Sequence, residues 1–190
     1  MFAPLYHGAT ARVAGIRREL GVQTTFNLLG PLTNPARAPR QIIGVWDRDL
    51  VEPLARTLSL LGTERAWIVH GGDGLDEVTL ADKTFVAEAG NGAVRTFEIE
   101  PTDFGVERDV LDGLSGGDAA ANAAIIRSVL SGARRDAARL LVVVNAAAAL
   151  HVGGLAENLR EGARLAEQSI DGGAAQGKLE ELIRISSEAR

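Results

Sequence analysis

The segment His70-Gly71-Gly72-Asp73-Gly74-Leu75-Asp76-Glu77-Val78-Thr79 carries the strongest chemical signal in this 190-residue chain. Its three glycines let the backbone turn sharply and approach a ligand closely. Asp76 and Glu77 place two carboxylates side by side. Hard oxygen donors of this kind suit Mg2+, which takes one or two protein carboxylates and completes its shell with water and phosphate oxygens. The same residues also suit a solvated acidic turn, and spacing does not separate the two readings.

Other candidates are less specific. Arg17 could grip a carboxylate or phosphate with its planar fork, and His7 lies ten residues before it. Taken alone, Arg17 reads as a surface helix charge and His7 as a satisfied structural histidine. Two Gly-Gly-Asp triplets, 71–73 and 116–118, invite a phosphate-loop reading, but neither fits the dinucleotide or P-loop fingerprint. Asp118 is better placed as a helix N-cap, and a capping carboxylate occupies the terminus a phosphate would need. His151 has no paired ligand at metal spacing and reads as structural. No Ser/His/Asp arrangement can be argued, and the absence of cysteine excludes disulfides, thiolate metal sites and cysteine nucleophiles.

Bulk properties narrow the partners. A net charge of −5 and a pI near 5.3 argue against neutralisation of nucleic-acid phosphates. No run approaches a membrane span, and the N-terminus lacks a signal-peptide pattern. These features predict a cytoplasmic protein with neither nucleic-acid nor membrane partners.

The elements that must position these residues follow from periodicity. Ala9–Leu20 reads as an amphipathic helix closed by Gly21. Gln41–Trp46 and Ala66–Val69 read as buried strands, with a helix over Leu50–Leu61 between them. Thr84–Ala89 and Ala93–Ile99 flank Gly-Asn-Gly as an antiparallel hairpin, and 101–105 as a turn or loop. From Gly116 onward the pattern is helical: Asp118 to about Ser131, a buried helix from Arg135 to about His151, then 155–171 and 175–188. The Val142-Val143-Val144 run keeps a strand reading open at one point. The expected class is α/β, a single domain over 1–190. The segment TTFNLLGPLTNPARAP, 24–39, is apolar enough for a core, yet Gly30, Pro31, Asn34, Pro35 and Pro39 interrupt it. It is expected to be neither helix nor strand.

That punctuated segment also carries a resemblance. RRELGVQTTFNLLGPLTNPA at 17–36 resembles the signature of the anthranilate phosphoribosyltransferase family. GLDEVT at 74–79, PTDFG at 101–105, GGDAAANA at 116–123, NAAAAL at 145–150 and the C-terminal helices continue it in order. The resemblance implies the nucleoside phosphorylase / phosphoribosyltransferase fold, a central β-sheet flanked by helices, of which this chain is the C-terminal portion of the catalytic domain. It implies transfer of phosphoribosyl from phosphoribosyl pyrophosphate to anthranilate, releasing pyrophosphate, in tryptophan biosynthesis. Arg17 matches the family's anthranilate-carboxylate arginine, His7 a histidine of the same pocket, and Pro31, in the LLGP turn, a proline packed on the ring. Asp76 and Glu77 match the acidic pair that helps hold Mg2+ on the pyrophosphate, and no covalent nucleophile is implied. Full-length members are expected to be homodimeric. The family's glycine-rich GTGGD loop, its KHGN segment and its N-terminal helical domain have no counterpart here. Activity is therefore expected to need those missing parts. The competing expectation is a non-catalytic remnant or anthranilate-binding module of the same fold.

Overall fold

The computed structural model describes residues 14–22, 25–111 and 114–188, which fall in two compact units, 1–39 and 40–190. In the first unit, helix α1 spans Ala14–Leu20 and stops at Gly21, whose φ of 62° suits a residue without a side chain. The Ala9–Val13 part of the expected first helix lies outside the described residues.

Helix α2, Thr25–Leu32, corrects the expectation for the punctuated segment, because Gly30 and Pro31 lie inside a helix rather than in a turn. Proline is most disruptive in a helix interior, where it deletes a ladder bond and crowds the preceding turn. Pro31 is the penultimate residue of α2, so the disturbance falls at the end. The helical ladder still closes behind it, with Thr33 N–H donating to the Leu29 carbonyl at 2.9 Å and the Thr33 hydroxyl to the same oxygen at 2.7 Å. Asn34 then turns the chain, its side-chain oxygen accepting from Ala36 N–H at 3.0 Å. The segment is also less core-like than its composition suggests, with Leu29 38% exposed.

The second unit is built on a four-stranded sheet of order β1-β2-β3-β4. Its strands are β1 (Arg40–Gly44), β2 (Arg65–Gly71), β3 (Thr84–Gly90) and β4 (Ala93–Ile99). β1 and β2 are parallel, joined by a short 3-10 turn and helix α3 (Val51–Leu60); β2/β3 and β3/β4 are antiparallel. Asn91 and Gly92, at φ of 51° and 77°, form the two-residue hairpin between β3 and β4. β2 reads as a continuous apolar run because both of its faces are covered. Trp67 and Val69 point into a core shared with helix α5 (Ala137–Val152), while Ala66 and Ile68 point to the opposite face. On that opposite face, α3 buries Val51, Leu54, Ala55 and Leu58.

The remaining helices follow their caps. The Asp118 carboxylate accepts from Ala121 N–H at 2.8 Å and starts α4 (Ala119–Leu130), as the spacing predicts. Asp136 caps α5, so the valine triplet belongs to a helix; Val143, Val144, Ala147 and Ala148 form its fully buried stripe. Asn158 caps α6 (Leu159–Asp171), which buries Gly162, Ala163, Ala166 and Ile170 along one face, at three- and four-residue steps. Gly162 meets α5 so closely that a Cβ there would lie 2.7 Å from the Ala147 carbonyl oxygen. Helix α7 spans Ala174–Glu188. Among the described residues no helix is long and apolar enough to cross a membrane.

Candidate functional site

Because β1 and β2 are parallel, their carboxyl ends, Gly44 and Gly71, lie at the same edge of the sheet. In α/β sheets this edge is where ligands bind. The acidic segment leaves β2 there and forms a loop over 72–83 with a dense internal scaffold. Gly71 N–H donates to the Leu75 carbonyl at 2.7 Å, Gly72 N–H to the Lys83 carbonyl at 2.7 Å, and Gly74 N–H to the Gly71 carbonyl at 2.9 Å. Gly74 has a φ of 92°, which L side chains rarely adopt.

Within the loop, Asp73 is consumed by structure. Its carboxylate accepts from the Thr79 hydroxyl at 2.9 Å and from Leu75 N–H at 3.3 Å. Thr79, 1% exposed, also accepts from Ala81 N–H at 3.0 Å and donates its own N–H to the Thr84 hydroxyl at 3.1 Å. Asp76 is fixed from below. Its backbone carbonyl lies over Gly44, where an added Cβ would be 1.5 Å from the Asp76 oxygen. Val78 is held from the side: its side chain is buried, and both its backbone polar groups bond to the Asn145 amide.

This scaffold leaves two carboxylates uncommitted. Asp76 and Glu77 both reach solvent, Glu77 with its carboxyl partly covered, and among the described residues neither side chain accepts a hydrogen bond nor pairs with a cation. Partial burial, and then the neighbouring Asp76 carboxylate, raise the Glu77 pKa. Two adjacent carboxylates with unfilled oxygen acceptors, mutually repelling, fit a hard divalent cation. No cluster of three or more His, Asp or Glu gathers among the described residues. A cation here would therefore draw its other ligands from water and phosphate, as Mg2+ commonly does.

Arg17 is the fourth residue of α1 and Pro31 lies in α2, both in the 1–39 unit. His7 lies outside the described residues. His151 is structural: its ring meets Trp67 edge-on at 5.5 Å, and its Nε2 lies 2.9 Å from Arg65. Since a guanidinium only donates, Nε2 accepts there and Nδ1 donates to the Ala156 carbonyl at 3.1 Å. Sequence reasoning assigned no role to Gly44 or Asn145. A lone amide in a helix otherwise rich in valine and alanine was the available signal for Asn145, since buried polar groups take partners.

Residues 1–176 match the family model described as "Glycosyl transferase family, a/b domain". A curated relative, anthranilate phosphoribosyltransferase from Rubrobacter xylanophilus, is 53% identical over 186 residues, covering 98% of this chain and 54% of its own length. Among solved structures, anthranilate phosphoribosyltransferase from Saccharomyces cerevisiae in complex with 4-fluoroanthranilate superposes with a TM-score of 0.88 at 32% identity, covering 99% of this chain and 55% of that one. The yeast enzyme in complex with PRPP and Mg gives 0.84 at 33% identity, covering 97% and 53%. The chain thus spans about half the length of the curated relatives it matches. With the family match running through nearly the whole chain and the α/β architecture agreeing with these structures, the chain belongs to the glycosyl transferase family, a/b domain.

Proposed function

We propose that these residues form the C-terminal catalytic portion of an anthranilate phosphoribosyltransferase, handling the Mg2+-pyrophosphate end of one substrate and the carboxylate of the other. The observation that carries this reading is the Asp76–Glu77 pair, uncommitted on a loop held by internal hydrogen bonds at the carboxyl ends of β1 and β2. The relatives' names supply the substrate class: the yeast structures are complexes with 4-fluoroanthranilate and with PRPP and Mg.

In the transfer, the anthranilate nitrogen forms a bond to the sugar's C1, the C1–oxygen bond breaks, and pyrophosphate leaves with the bonding electrons. The new ammonium centre then loses one proton. Mg2+, when bound, neutralises charge developing on the departing pyrophosphate. Asp76 and Glu77 would hold it at the sheet edge. Arg17 is assigned the anthranilate carboxylate, gripping it through two parallel hydrogen bonds. Such a grip orients a weak aromatic amine for in-line attack, which is where catalysis of this kind gains most. Pro31 and His7 are assigned to the aromatic pocket, Pro31 with its φ already fixed by its ring.

The whole activity is assigned to an assembly that includes the half of the relatives' length not spanned here. Treatment of 1–190 as one α/β domain, cytoplasmic placement, homodimerisation of the full-length protein and the absence of nucleic-acid and membrane partners belong to the same reading. The test is formation of phosphoribosylanthranilate by this chain, alone and with the N-terminal half of a curated relative added. Product in the mixture is expected, and its loss in Asp76→Asn/Glu77→Gln. No product in a mixture that assembles would overturn the reading and favour a non-catalytic anthranilate-binding module.

A further inference from the structure

We infer that Asn145 is a positioning residue for the Asp76–Glu77 carboxylates, holding their loop on the buried helix α5; the inference rests on the metal-binding reading proposed above. Asn145 lies 67 positions from Val78, yet its amide satisfies both backbone polar groups of that residue. Its Oδ1 accepts from Val78 N–H at 3.0 Å, and its Nδ2 donates to the Val78 carbonyl at 2.9 Å. The second Nδ2 hydrogen goes to the Leu141 carbonyl, one turn back in α5, at 2.9 Å.

These partners determine the orientation of the amide. Rotated by half a turn, it would set NH2 against an N–H and oxygen against two carbonyls. The support is rigid at both ends. Val78 is 1% exposed, its side chain in the same core as Val143, Val144, Ala147 and Ala148, which flank Asn145 along α5. Glu77 is covalently adjacent to Val78, and Asp76 is one residue further, seated over Gly44. The carboxylate pair is therefore suspended between two fixed points, the α5 amide on one side and the end of β1 on the other. Release of the Asn145 contact frees the Val78 side without touching either carboxylate. Groups that orient metal ligands commonly affect metal affinity by roughly 10- to 100-fold when removed.

The test is Mn2+ titration of this 190-residue protein followed by electron paramagnetic resonance, with inorganic pyrophosphate present and thermal unfolding recorded in parallel. The proteins compared are the wild type, Asn145→Asp, Asn145→Ser and Asp76→Asn/Glu77→Gln. Leu58→Ala serves as a control that opens a cavity under α3, on the opposite face of the sheet. The wild type is expected to bind Mn2+ and the double variant to lose binding. Both Asn145 variants should bind roughly 10- to 100-fold more weakly, while Leu58→Ala is less stable with unchanged affinity. Asn145 variants that fold and bind like the wild type, beside a double variant that does not bind, would overturn the positioning role and leave the metal reading standing. Equal binding by the wild type and the double variant would overturn both. Should neither Asn145 variant fold, hydrogen exchange of the wild type decides. A Val78 amide as protected as the centre of α5 supports the clamp, and one exchanging like an exposed loop refutes it.

Discussion

Gly44→Ala is the sharpest probe of how the sheet edge supports the carboxylate loop. The added methyl would start 1.5 Å from the Asp76 carbonyl oxygen, where contacts under 3.0 Å are essentially never seen. Either β1 or the loop must therefore retreat by about 1.5 Å at this point. The loop resists, because Gly72, Asp73, Val78 and Thr79 each hold it to fixed neighbours. β1 resists less, being paired on one side only among the described residues, but its retreat would strain the Gly44–Val69 register and the Val45 N–H to Val69 carbonyl bond of 3.0 Å. Overpacking of a well-filled site costs about 1–3 kcal/mol, and an overlap with backbone belongs at the upper end. For a domain of this size, about 3 kcal/mol lowers the unfolding midpoint by roughly 6–12 °C. A 1 Å displacement of a substrate-positioning group can also cost about 100-fold in function. Circular dichroism melting, with Mn2+ affinity read on the same samples, measures both effects. A variant melting within a degree of the wild type and binding Mn2+ equally would show that Asp76 is not seated on Gly44.

Two further outcomes follow from other parts of the molecule. Arg17→Ala is expected to weaken anthranilate binding far more than phosphoribosyl pyrophosphate binding in the assembled enzyme, measured by calorimetry; equal loss of both would contradict the carboxylate assignment. Glu88→Gln tests the charged network beneath Trp67. Burial pushes the Glu88 carboxyl up, but hydrogen bonds from Trp67, Arg95 and Arg65, with the Arg65 charge, outweigh it and hold the pKa below its ordinary value. Because the folded pKa is depressed, this stabilisation is present above the ordinary glutamate pKa and is lost as pH falls through the lowered one. Glu88→Gln should therefore destabilise by about 1.5 kcal/mol near neutral pH, the low end for hydrogen bonds to a charged group. Urea titrations across pH should show the gap closing in acid, and a pH-independent gap would refute the charge argument.

Much of this arrangement was legible along the chain because it is local. The acidic loop announces itself by glycines and carboxylates after an apolar run, and the α4 cap by Asp118 before a helical pattern. The β3–β4 hairpin follows from Gly-Asn-Gly between strand-like segments, and the motifs at 17–36 and 74–79 pointed to the family before any fold was known. What escaped is tertiary. Nothing near Gly44 indicates that residue 76 will lie on it, and nothing near Asn145 indicates a partner 67 positions away. Pro31 misled for a different reason: the cost of proline depends on where the helix ends, and α2 ends one residue after it.

The most direct test of the proposed function is calorimetric titration of phosphoribosyl pyrophosphate, with and without Mg2+, into the assembled enzyme and its Asp76→Asn/Glu77→Gln variant, with anthranilate titrated in parallel. Mg2+-dependent binding of phosphoribosyl pyrophosphate in the wild type, lost in the variant while anthranilate binding persists, is the expected result. Binding that is equally tight in both proteins, or that ignores Mg2+, would contradict the role given to the carboxylate pair.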